Sequence, residues 1–463
     1  MIYTDTRDRS VQTDFRTAVV NGMNEATGGL YIPVSFPRLA DGFLRQKSPD
    51  LREIAFEMAK PYTAGEIPDG DLRALIEDAY PFGAPVVEVA ENTCILELFH
   101  GPTCAFKDFG ARFMARAMSY FNRGESAPLH ILVATSGDTG SAVGSAFHNV
   151  PGLDVTILYP EGKISPLQEK QLSTFDGNVR ALKVAGTFDD CQKLVKTAFT
   201  DEALRARLRL SSANSINISR LLPQGFYYMY SSMKVMAEHP GADVIEIVPS
   251  GNFGNLTSGL IAREMGAPIR GFVAATNSNR TVPDWIATGS YVARPSIATC
   301  ANAMDVGAPS NHERITAMYT LEQVRGLLAS YWLDNDGIAA AIRHCHETAG
   351  YTIDPHGAVG WKAWHDIRSG GFDALRRGEK GDISKPGLTP SLPDWAGSVI
   401  GKRAVGVILE TAHPAKFGAT VEKATGSAPE IPKRLEKVMS LPDRAVPMGN
   451  DYRQLKEWLL SSL

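Results

Sequence analysis

The feature that most constrains the fold is an alternation, after about residue 96, of short apolar runs, turns rich in small residues, and amphipathic segments. Largely apolar runs at 130–134 and 244–248 lead into such turns. The turns, at 135–140 and 250–255, are followed by helical patterns. Strands that alternate with helices favour an α/β fold with a largely parallel sheet. The sequence has no short-period internal repeat, which excludes solenoids and propellers.

The same periodicities predict the remaining elements. Further strands are expected at 155–159, 179–184, 272–275 and 405–409, and helices at 106–121, 141–147, 188–208 and 256–265. Residues 28–33 are expected to form a turn and a short extended piece. Residues 369–397, rich in Gly, Pro, Ser, Asp and Lys, are expected to be an exposed insertion, and the chain after about 430 is expected to be helical.

These elements predict three units along the chain. Residues 1–95 are expected to form a mainly helical N-terminal region, and residues 96–235 a smaller α/β domain. Residues 236–463 are expected to form a larger α/β domain that carries the insertion. A chain of 463 residues is long enough to form two or three domains, each with its own buried core.

Composition narrows the class of protein. A net charge of −4, with no block of like charges, gives no reason to expect nucleic acid or an anionic membrane as a partner. No apolar run approaches the length of a membrane span, and the polar N-terminus does not resemble a signal peptide. The five cysteines are scattered and form no C-x-x-C pair. A cytoplasmic protein with reduced thiols is therefore expected.

Lys107 is the first candidate for chemistry. Apolar residues from Phe106 to Phe121 recur at steps of three or four, as on one face of a helix. Thr103 can cap that helix, which places Lys107 in its first turn. The positive end of the helix dipole and apolar neighbours both favour the neutral amine, which is the form that reacts with an aldehyde. A solvated surface lysine has the same local pattern, so this alternative remains.

Two turns between a strand and a helix are candidate anion sites. Residues 250–255, with the sequence SGNFGN, can direct backbone N–H groups at a single phosphate. This turn lacks the Gly-Lys-Ser/Thr of a nucleotide P-loop and the spacing of a dinucleotide fingerprint. Residues 135–140, with the sequence TSGDTG, suit a carboxylate, although Asp138 or Thr139 could simply cap a helix. A tight turn without a ligand remains the alternative in both places.

Three further segments contain residue types that could bind a ligand or a metal. Residues 214–220 combine amides, hydroxyls and Arg220, which can grip a phosphate with two N–H groups, and Lys163 follows a strand end where ligands of α/β sheets collect. His344 and His346 are two positions apart on a helix and would not converge on a metal. Residues 354–357 are expected to form a turn before a helix. No metal site is predicted.

Taken together, these segments resemble threonine synthases, pyridoxal-phosphate enzymes of fold type II. The resemblance covers most of the chain and excludes the region around 369–397. It is carried by the segments 28–33 (GGLYIP), 99–103 (FHGPT), 106–108 (FKD), 136–140 (SGDTG), 214–217 (NSIN), 250–254 (SGNFG) and 410–417 (ETAHPAKF). The fold that it implies is α/β, with two open, twisted, mostly parallel α/β domains and an N-terminal mainly helical region.

The resemblance also implies the roles of individual residues. Lys107 would form a Schiff base with pyridoxal 5'-phosphate, act as the catalytic base and acid, and be displaced by the substrate. The cofactor-binding residues would be Lys107, Asp138, Ser250, Gly251, Asn252, Phe253, Gly254, Asn255 and Thr411. The substrate-binding residues would be Thr135, Ser136, Thr139, Lys163, Asn214, Ser215 and Arg220. Thr411 would bond the pyridine nitrogen, residues 135–139 the substrate carboxylate, and residues 214–220 its phosphate.

The implied reaction converts O-phospho-L-homoserine and water to L-threonine and phosphate by γ-elimination followed by β-addition of water. Related alternatives are a phospho-lyase that releases 2-oxobutyrate and a dehydratase or β-replacing enzyme without a second phosphate site. A non-catalytic protein that binds phosphorylated amino acids is a further alternative. The expected partner is a small molecule, and the chain is expected to be a monomer or a small homo-oligomer.

Overall fold

A computed structural model of the chain describes residues 1–46, 50–135, 137–377, 382–401 and 403–461. Ser136, one of the expected substrate ligands, lies outside the described residues. The strands are β1 (Tyr3–Asp5), β2 (Gln12–Thr13), β3 (Tyr31–Pro33), β4 (Val86–Ala90), β5 (Thr93–Glu97), β6 (Leu129–Ala134), β7 (Leu153–Pro160), β8 (Val179–Val184), β9 (Arg209–Ser211), β10 (Asp243–Pro249), β11 (Ile269–Thr276), β12 (Leu328–Trp332), β13 (Gly387–Leu388), β14 (Ala404–Glu410) and β15 (Val446–Met448).

The helices cover both sheets and build the N-terminal region. They are α1 (Phe15–Asn21), α2 (Asp41–Leu44), α3 (Leu51–Thr63), α4 (Asp69–Ala79), α5 (Lys107–Phe121), α6 (Asp138–Phe147), α7 (Pro166–Ser173), α8 (Phe188–Thr200), α9 (Glu202–Arg205), α10 (Ile218–Leu221), α11 (Gly225–Glu238), α12 (Gly254–Glu264), α13 (Thr281–Thr288), α14 (His312–Met318), α15 (Leu321–Leu327), α16 (Asn335–Ala349), α17 (Pro355–Asp366), α18 (Phe372–Arg376), α19 (Ala396–Ile400), α20 (Gly418–Thr425), α21 (Lys433–Met439) and α22 (Tyr452–Ser461). In the part of the chain that is described, no helix is both long and apolar enough to cross a membrane.

Two mostly parallel sheets carry the fold. The larger has seven strands in the order β13-β12-β11-β10-β14-β5-β4, and only its edge strands β13 and β4 pair antiparallel. The smaller has five parallel strands in the order β15-β8-β7-β6-β9. The central strands are buried on both faces, as parallel sheets covered by helices require. The expected α/β class with two mostly parallel sheets is confirmed.

The sheets draw strands from distant parts of the chain. β4 and β5, which lie within residues 86–97, belong to the seven-stranded sheet, whereas β15, near the C-terminus, pairs with β8 of the five-stranded sheet. β1, β2 and β3 form a separate antiparallel sheet in the N-terminal region. The division into 1–95, 96–235 and 236–463 stays a prediction.

Three predicted elements differ from the structure. The helix expected over 188–208 is two helices followed by a turn, because Asp201 ends α8 and its side chain caps α9 by accepting from the Leu204 N–H. The expected helical C-terminus contains the strand β15. The expected insertion is not wholly exposed, since Phe372 and Trp395 are buried. A Cβ on Gly271 would lie 2.1 Å from the Trp395 ring, so this indole packs directly on β11.

Glu246, in the middle of β10, is an acidic residue buried in the seven-stranded sheet. Its carboxyl is fully buried, one oxygen accepts from Ser231 Oγ, and the other has no partner. Burial raises the pKa of Glu246 well above its usual range, against the effect of the Ser231 hydrogen bond. The folded state therefore holds a proton that the unfolded chain loses above about pH 4.3, so this group costs stability as the pH rises.

Glu246→Gln should stabilise the protein at pH 8 by about 1–2 kcal/mol, because the amide keeps the shape and removes the cost of the buried acid. The gain should be smaller at pH 5. Denaturant unfolding of both proteins at the two pH values measures it. Glu88→Gln, an exposed change on the edge strand of the same sheet, is the matched control. A gain that does not grow with pH would contradict the account.

Candidate active site

The lysine-bearing segment is tied to the chain that follows β14. Ala105 forms an isolated bridge with Ala412, and the Phe106 N–H donates to the Thr411 carbonyl at 2.9 Å. Cys104, at φ 57°, adopts the left-handed conformation that lets the chain turn into α5. The start of α5 is therefore held at the carboxyl end of β14, where ligands of α/β sheets bind.

Asp108 holds the turn before α5. Its carboxylate accepts from the Thr103 N–H at 2.9 Å and from Thr103 Oγ1 at 2.7 Å. The residue that precedes α5 as its cap is Phe106, so the expectation that Thr103 caps this helix was wrong. Burial raises the pKa of Asp108 to about 6, against these hydrogen bonds. The helix starts correctly because a first-turn carboxylate reaches back to the loop.

Lys107, the first residue of α5, is largely buried, with 13% of its side chain exposed. Its Nζ lies 3.9 Å from Asp138 Oδ2 at the start of α6. Burial lowers the pKa of Lys107 to about 8. Asp138 opposes that shift, and Arg220 and Lys416 add to it. A substantial fraction of neutral amine is thus present near pH 8, as attack on an aldehyde requires.

Asp138 receives two further donors. Lys416 Nζ lies 2.8 Å from Asp138 Oδ1, and Gln168 Nε2 donates to the same oxygen at 3.0 Å. Although burial opposes the shift, Lys416 and then Lys107 lower the pKa of Asp138 below its usual range. Gly137, and not Asp138 or Thr139, is the cap of α6. Sequence reasoning missed Lys416, whose signal was its position shortly after a strand end among apolar residues.

The turn at 250–255 lies between β10 and α12. Phe253, at φ 59°, is in the left-handed region and caps α12. A Cβ on Gly251 would lie 2.7 Å from the Ala303 carbonyl oxygen, so only glycine fits there without movement. Ser250 Oγ donates to the Val248 carbonyl. Asn255 Oδ1 accepts from the hydroxyls of two buried tyrosines, whereas its buried Nδ2 has no partner.

The 214–217 segment lies against this turn. Asn252 Nδ2 donates to Ser215 Oγ at 2.5 Å, and a Cβ on Gly254 would lie 3.2 Å from Ser215 Cβ. Asn214 is half-buried beside Ser215. Asn217 is fully buried and donates to the Val19 carbonyl, so it supports the segment. The structure thus brings together the two segments that were expected to bind phosphates.

Arg314, in α14, organises this pair of segments. Its guanidinium donates to the carbonyls of Tyr31 (3.0 Å), Ser215 (3.1 Å) and Ile216, and to the Asn311 side chain at 2.8 Å. Burial lowers the pKa of Arg314 to about 9. No motif marks this arginine in the sequence, because three of its four acceptors are backbone carbonyls of residues remote in the chain.

Arg220 is buried in α10 and donates to the Ala213 carbonyl. Among the described residues no carboxylate lies within ion-pair distance of it, the nearest influence being that of Asp108. Burial lowers the pKa of Arg220 to about 10. A buried guanidinium close enough to affect Lys107 and without a bound carboxylate is suited to an incoming anion.

The other expected site residues are placed less favourably or at a distance. The Thr135 hydroxyl accepts from the N–H groups of Gly137 (3.0 Å) and Gly140 (2.8 Å), so the turn itself uses it. Thr139 is half-buried in the first turn of α6. Lys163 is exposed on the turn after β7. Thr411 is 5% exposed and follows β14 directly. Their individual roles stay predictions.

The histidine clusters have structural partners. Trp361 Nε1 donates to His344 Nδ1, and no group of three potential metal-ligating residues occurs in the described ranges. The turn expected over 354–357 was wrong, because Asp354 caps α17 and the next three residues already form the first turn of this helix. The Asp354 carboxylate also contacts His356 Nδ1 at 2.6 Å.

These residues fit pyridoxal phosphate. Lys107 supplies an amine whose pKa is lowered and which is partly accessible. The Gly251 turn leaves no room for a side chain, and the buried Asn255 Nδ2 lacks a partner there. Both turns and Thr411 follow the carboxyl ends of parallel strands. Residues 88–373 match the family of pyridoxal-phosphate-dependent enzymes. Together with two mostly parallel sheets around a buried lysine, this match defines the chain as a pyridoxal-phosphate-dependent enzyme of fold type II.

The chain belongs to the threonine synthase family. Residues 2–80 match the family of threonine synthase N-termini, and residues 398–459 match the C-terminal one. The chain is 39% identical to threonine synthase of Haemophilus influenzae, over 97% of each chain, and 38% identical to that of Escherichia coli, over 98% of each.

Solved structures agree with this assignment. The crystal structure of threonine synthase from Escherichia coli has a TM-score of 0.83 at 36% identity and covers 100% of both chains. The pyridoxal-phosphate-bound threonine synthase of Brucella melitensis has a TM-score of 0.84 at 32% identity, over 99% of this chain and 98% of that one. The structural similarity extends along the whole chain and therefore includes the three regions that match family models, 2–80, 88–373 and 398–459.

Proposed function

We propose that this chain converts O-phospho-L-homoserine and water to L-threonine and phosphate. The observation that carries the proposal is Lys107 at the meeting point of the two sheets, with a lowered pKa and with Asp138 and Arg220 close by. Bound pyridoxal phosphate supplies an aldehyde for the amine and a ring that delocalises negative charge. The chain supplies the remaining functions.

The cofactor would be held at three places. The turn at 250–255 presents backbone N–H groups at the start of α12, which suits the cofactor phosphate. Thr411, which follows β14, would place a hydroxyl at the ring nitrogen. Lys107 would hold the aldehyde end. The first two positions follow strands of the seven-stranded sheet, and the third is the start of α5.

Lys107 Nζ would also move the protons of the reaction. As a neutral amine it is suited to accept the proton from the substrate Cα, and as an ammonium it can return a proton to carbon. The site offers a second cation for the substrate phosphate in Arg220, supported by the Asn214 and Ser215 segment that Arg314 holds. The two anion sites separate the cofactor phosphate from the leaving phosphate.

Incubating the purified protein with O-phospho-L-homoserine tests the proposal. We expect equal amounts of phosphate and L-threonine, measured by phosphate assay and amino-acid chromatography. Phosphate with 2-oxobutyrate and no threonine would favour the phospho-lyase. Unchanged substrate with a protein that absorbs no visible light would favour the non-catalytic binding protein.

Arg220→Met should raise KM for O-phospho-L-homoserine by about 100-fold, because a charge-assisted contact to the leaving phosphate is lost. Arg220→Lys, which keeps the positive charge, should raise KM by a smaller factor. Arg343→Met is the matched control, since Arg343 likewise donates to a backbone carbonyl, that of Ala424. An unchanged KM in Arg220→Met would assign the substrate phosphate to other residues.

A further inference from the structure

Lys416 is a buried cation outside the set of residues predicted to bind cofactor or substrate. It lies in the short helical turn Pro414–Phe417 that follows β14, and none of its side chain is exposed. Its Nζ contacts Asp138 Oδ1 at 2.8 Å and donates to the Thr103 carbonyl at 3.0 Å. Two acceptors, one of them a carboxylate, therefore face this buried side chain.

The two oxygens of Asp138 face different lysines. Oδ1 receives Lys416 Nζ and Gln168 Nε2, whereas Oδ2 lies 3.9 Å from Lys107 Nζ. The contact with Lys416 is thus a hydrogen-bonded ion pair, and that with Lys107 is longer. The carboxylate is shared between the lysine that is expected to react and a second lysine that holds it in place.

The charges around Lys107 make this sharing consequential. The groups that face it are Asp138 from α6, Arg220 from α10, Lys416 from the 414–417 turn and Asp354 from the start of α17. A carboxylate within about 4–6 Å of a lysine favours its ammonium form and so raises the pKa of that lysine. A cation bound to that carboxylate opposes this effect, because its positive charge lies only 2.8 Å from Asp138 Oδ1.

We propose that Lys416 is a positioning residue whose ammonium neutralises Asp138, so that Lys107 faces a neutral ion pair and can exist as an uncharged amine. Without Lys416, the full charge of Asp138 would act on Lys107 and hold it as an ammonium. The inference rests on the proposed role of Lys107 and deepens it. Lys416 acts through Asp138 and is not itself a catalytic residue.

The test is a pH titration of visible absorbance on the full-length protein with pyridoxal phosphate bound. Lys416→Met should raise the pH at the midpoint of the absorbance change by about one unit or more. The reason is that the attraction of Asp138 for a proton at Lys107 Nζ is no longer balanced by a cation. Asp138→Asn should lower it, because the Lys416 ammonium is then unbalanced. The double variant should return towards the wild-type midpoint, because both charges are gone.

The matched control is Lys456→Met, which removes the lysine from a short ion pair, 2.6 Å from Asp201, far along the chain from Lys107. It should leave the midpoint unchanged. If Lys416 only held the Thr103 loop, its variant would melt at a lower temperature or carry less cofactor without a shifted midpoint, and that result would overturn the inference. If Lys416→Met does not fold, Lys416→Gln, which keeps a hydrogen-bond donor and removes the charge, decides: a raised midpoint supports the inference, and an unchanged one overturns it.

Different results would contradict the proposed function and the role of Lys416. If the visible absorbance of the bound cofactor persists in the Lys107→Ala variant, the proposed function itself is disproved. Normal absorbance that depends on Lys107, together with midpoints that are the same in all the Lys416 and Asp138 variants, would end only the role of Lys416.

Discussion

Lys107→Ala protein should lose the visible absorbance of bound pyridoxal phosphate and at least about 10³-fold of its turnover with O-phospho-L-homoserine. The amine is the only group proposed both to bond the aldehyde and to transfer protons at the substrate, so one change removes both functions. The start of α5 should survive, because the hydrogen bonds that hold it come from Asp108 and from the backbone of Phe106. Absorbance spectra and a coupled phosphate assay measure the two losses.

Lys456→Ala provides the control for the removal of a lysine in an ion pair away from the site. Thermal unfolding of both variants shows whether the fold is kept. An Lys107→Ala protein that retains its visible band and its turnover would disprove the role assigned to this lysine. Partial rescue of turnover by added alkylamines, with an intact fold, would support the loss of a proton-transfer group specifically.

Gly251→Ala should weaken the binding of pyridoxal phosphate by about 100-fold, because a displacement of the turn by part of an ångström misdirects its N–H groups. The new Cβ would lie 2.7 Å from the Ala303 carbonyl oxygen and 2.8 Å from Met304 Cα. Both neighbours are backbone atoms, so relief requires one of the two chain segments to move. The dissociation constant is measured by absorbance titration of protein from which the cofactor has been removed.

Gly70→Ala is the matched control, because a Cβ on Gly70, in the first turn of α4, meets no atom within 4 Å. It should bind the cofactor as the wild type does. Equal affinity of Gly251→Ala and wild type would mean that the 250–255 turn does not hold the phosphate. A loss of the fold in Gly251→Ala alone would show in its thermal unfolding and would separate stability from binding.

The order of strands and helices could be predicted because its causes are local. The runs that became β6 and β10 and the helix that became α5 follow from period and apolar content within short windows. The prediction failed at 188–208, where a single capping residue, Asp201, outweighs a continuous amphipathic pattern. It also failed at Trp395, whose burial depends on a glycine in a different part of the sheet, Gly271.

The candidate site divides in the same way. Lys107 and the 250–255 turn could be found because a first-turn lysine and a glycine-rich turn each have a local chemical meaning. Lys416 could not, because its meaning lies in a carboxylate 278 positions earlier in the chain, Asp138. Arg314 could not either, because it binds carbonyl oxygens, which every residue possesses.

The sequence by itself determined the α/β class and singled out the first-turn lysine and the glycine-rich turn as candidates, because strand period, helix spacing and turn composition act over a few neighbouring residues. Only the tertiary structure decided that β4 and β5 join the large sheet, that β15 joins the small one, and that Lys416 and Arg220 surround Lys107. Such contacts join residues far apart in the chain. Their energies depend on burial and distance, which exist only once the sheets have closed around the site.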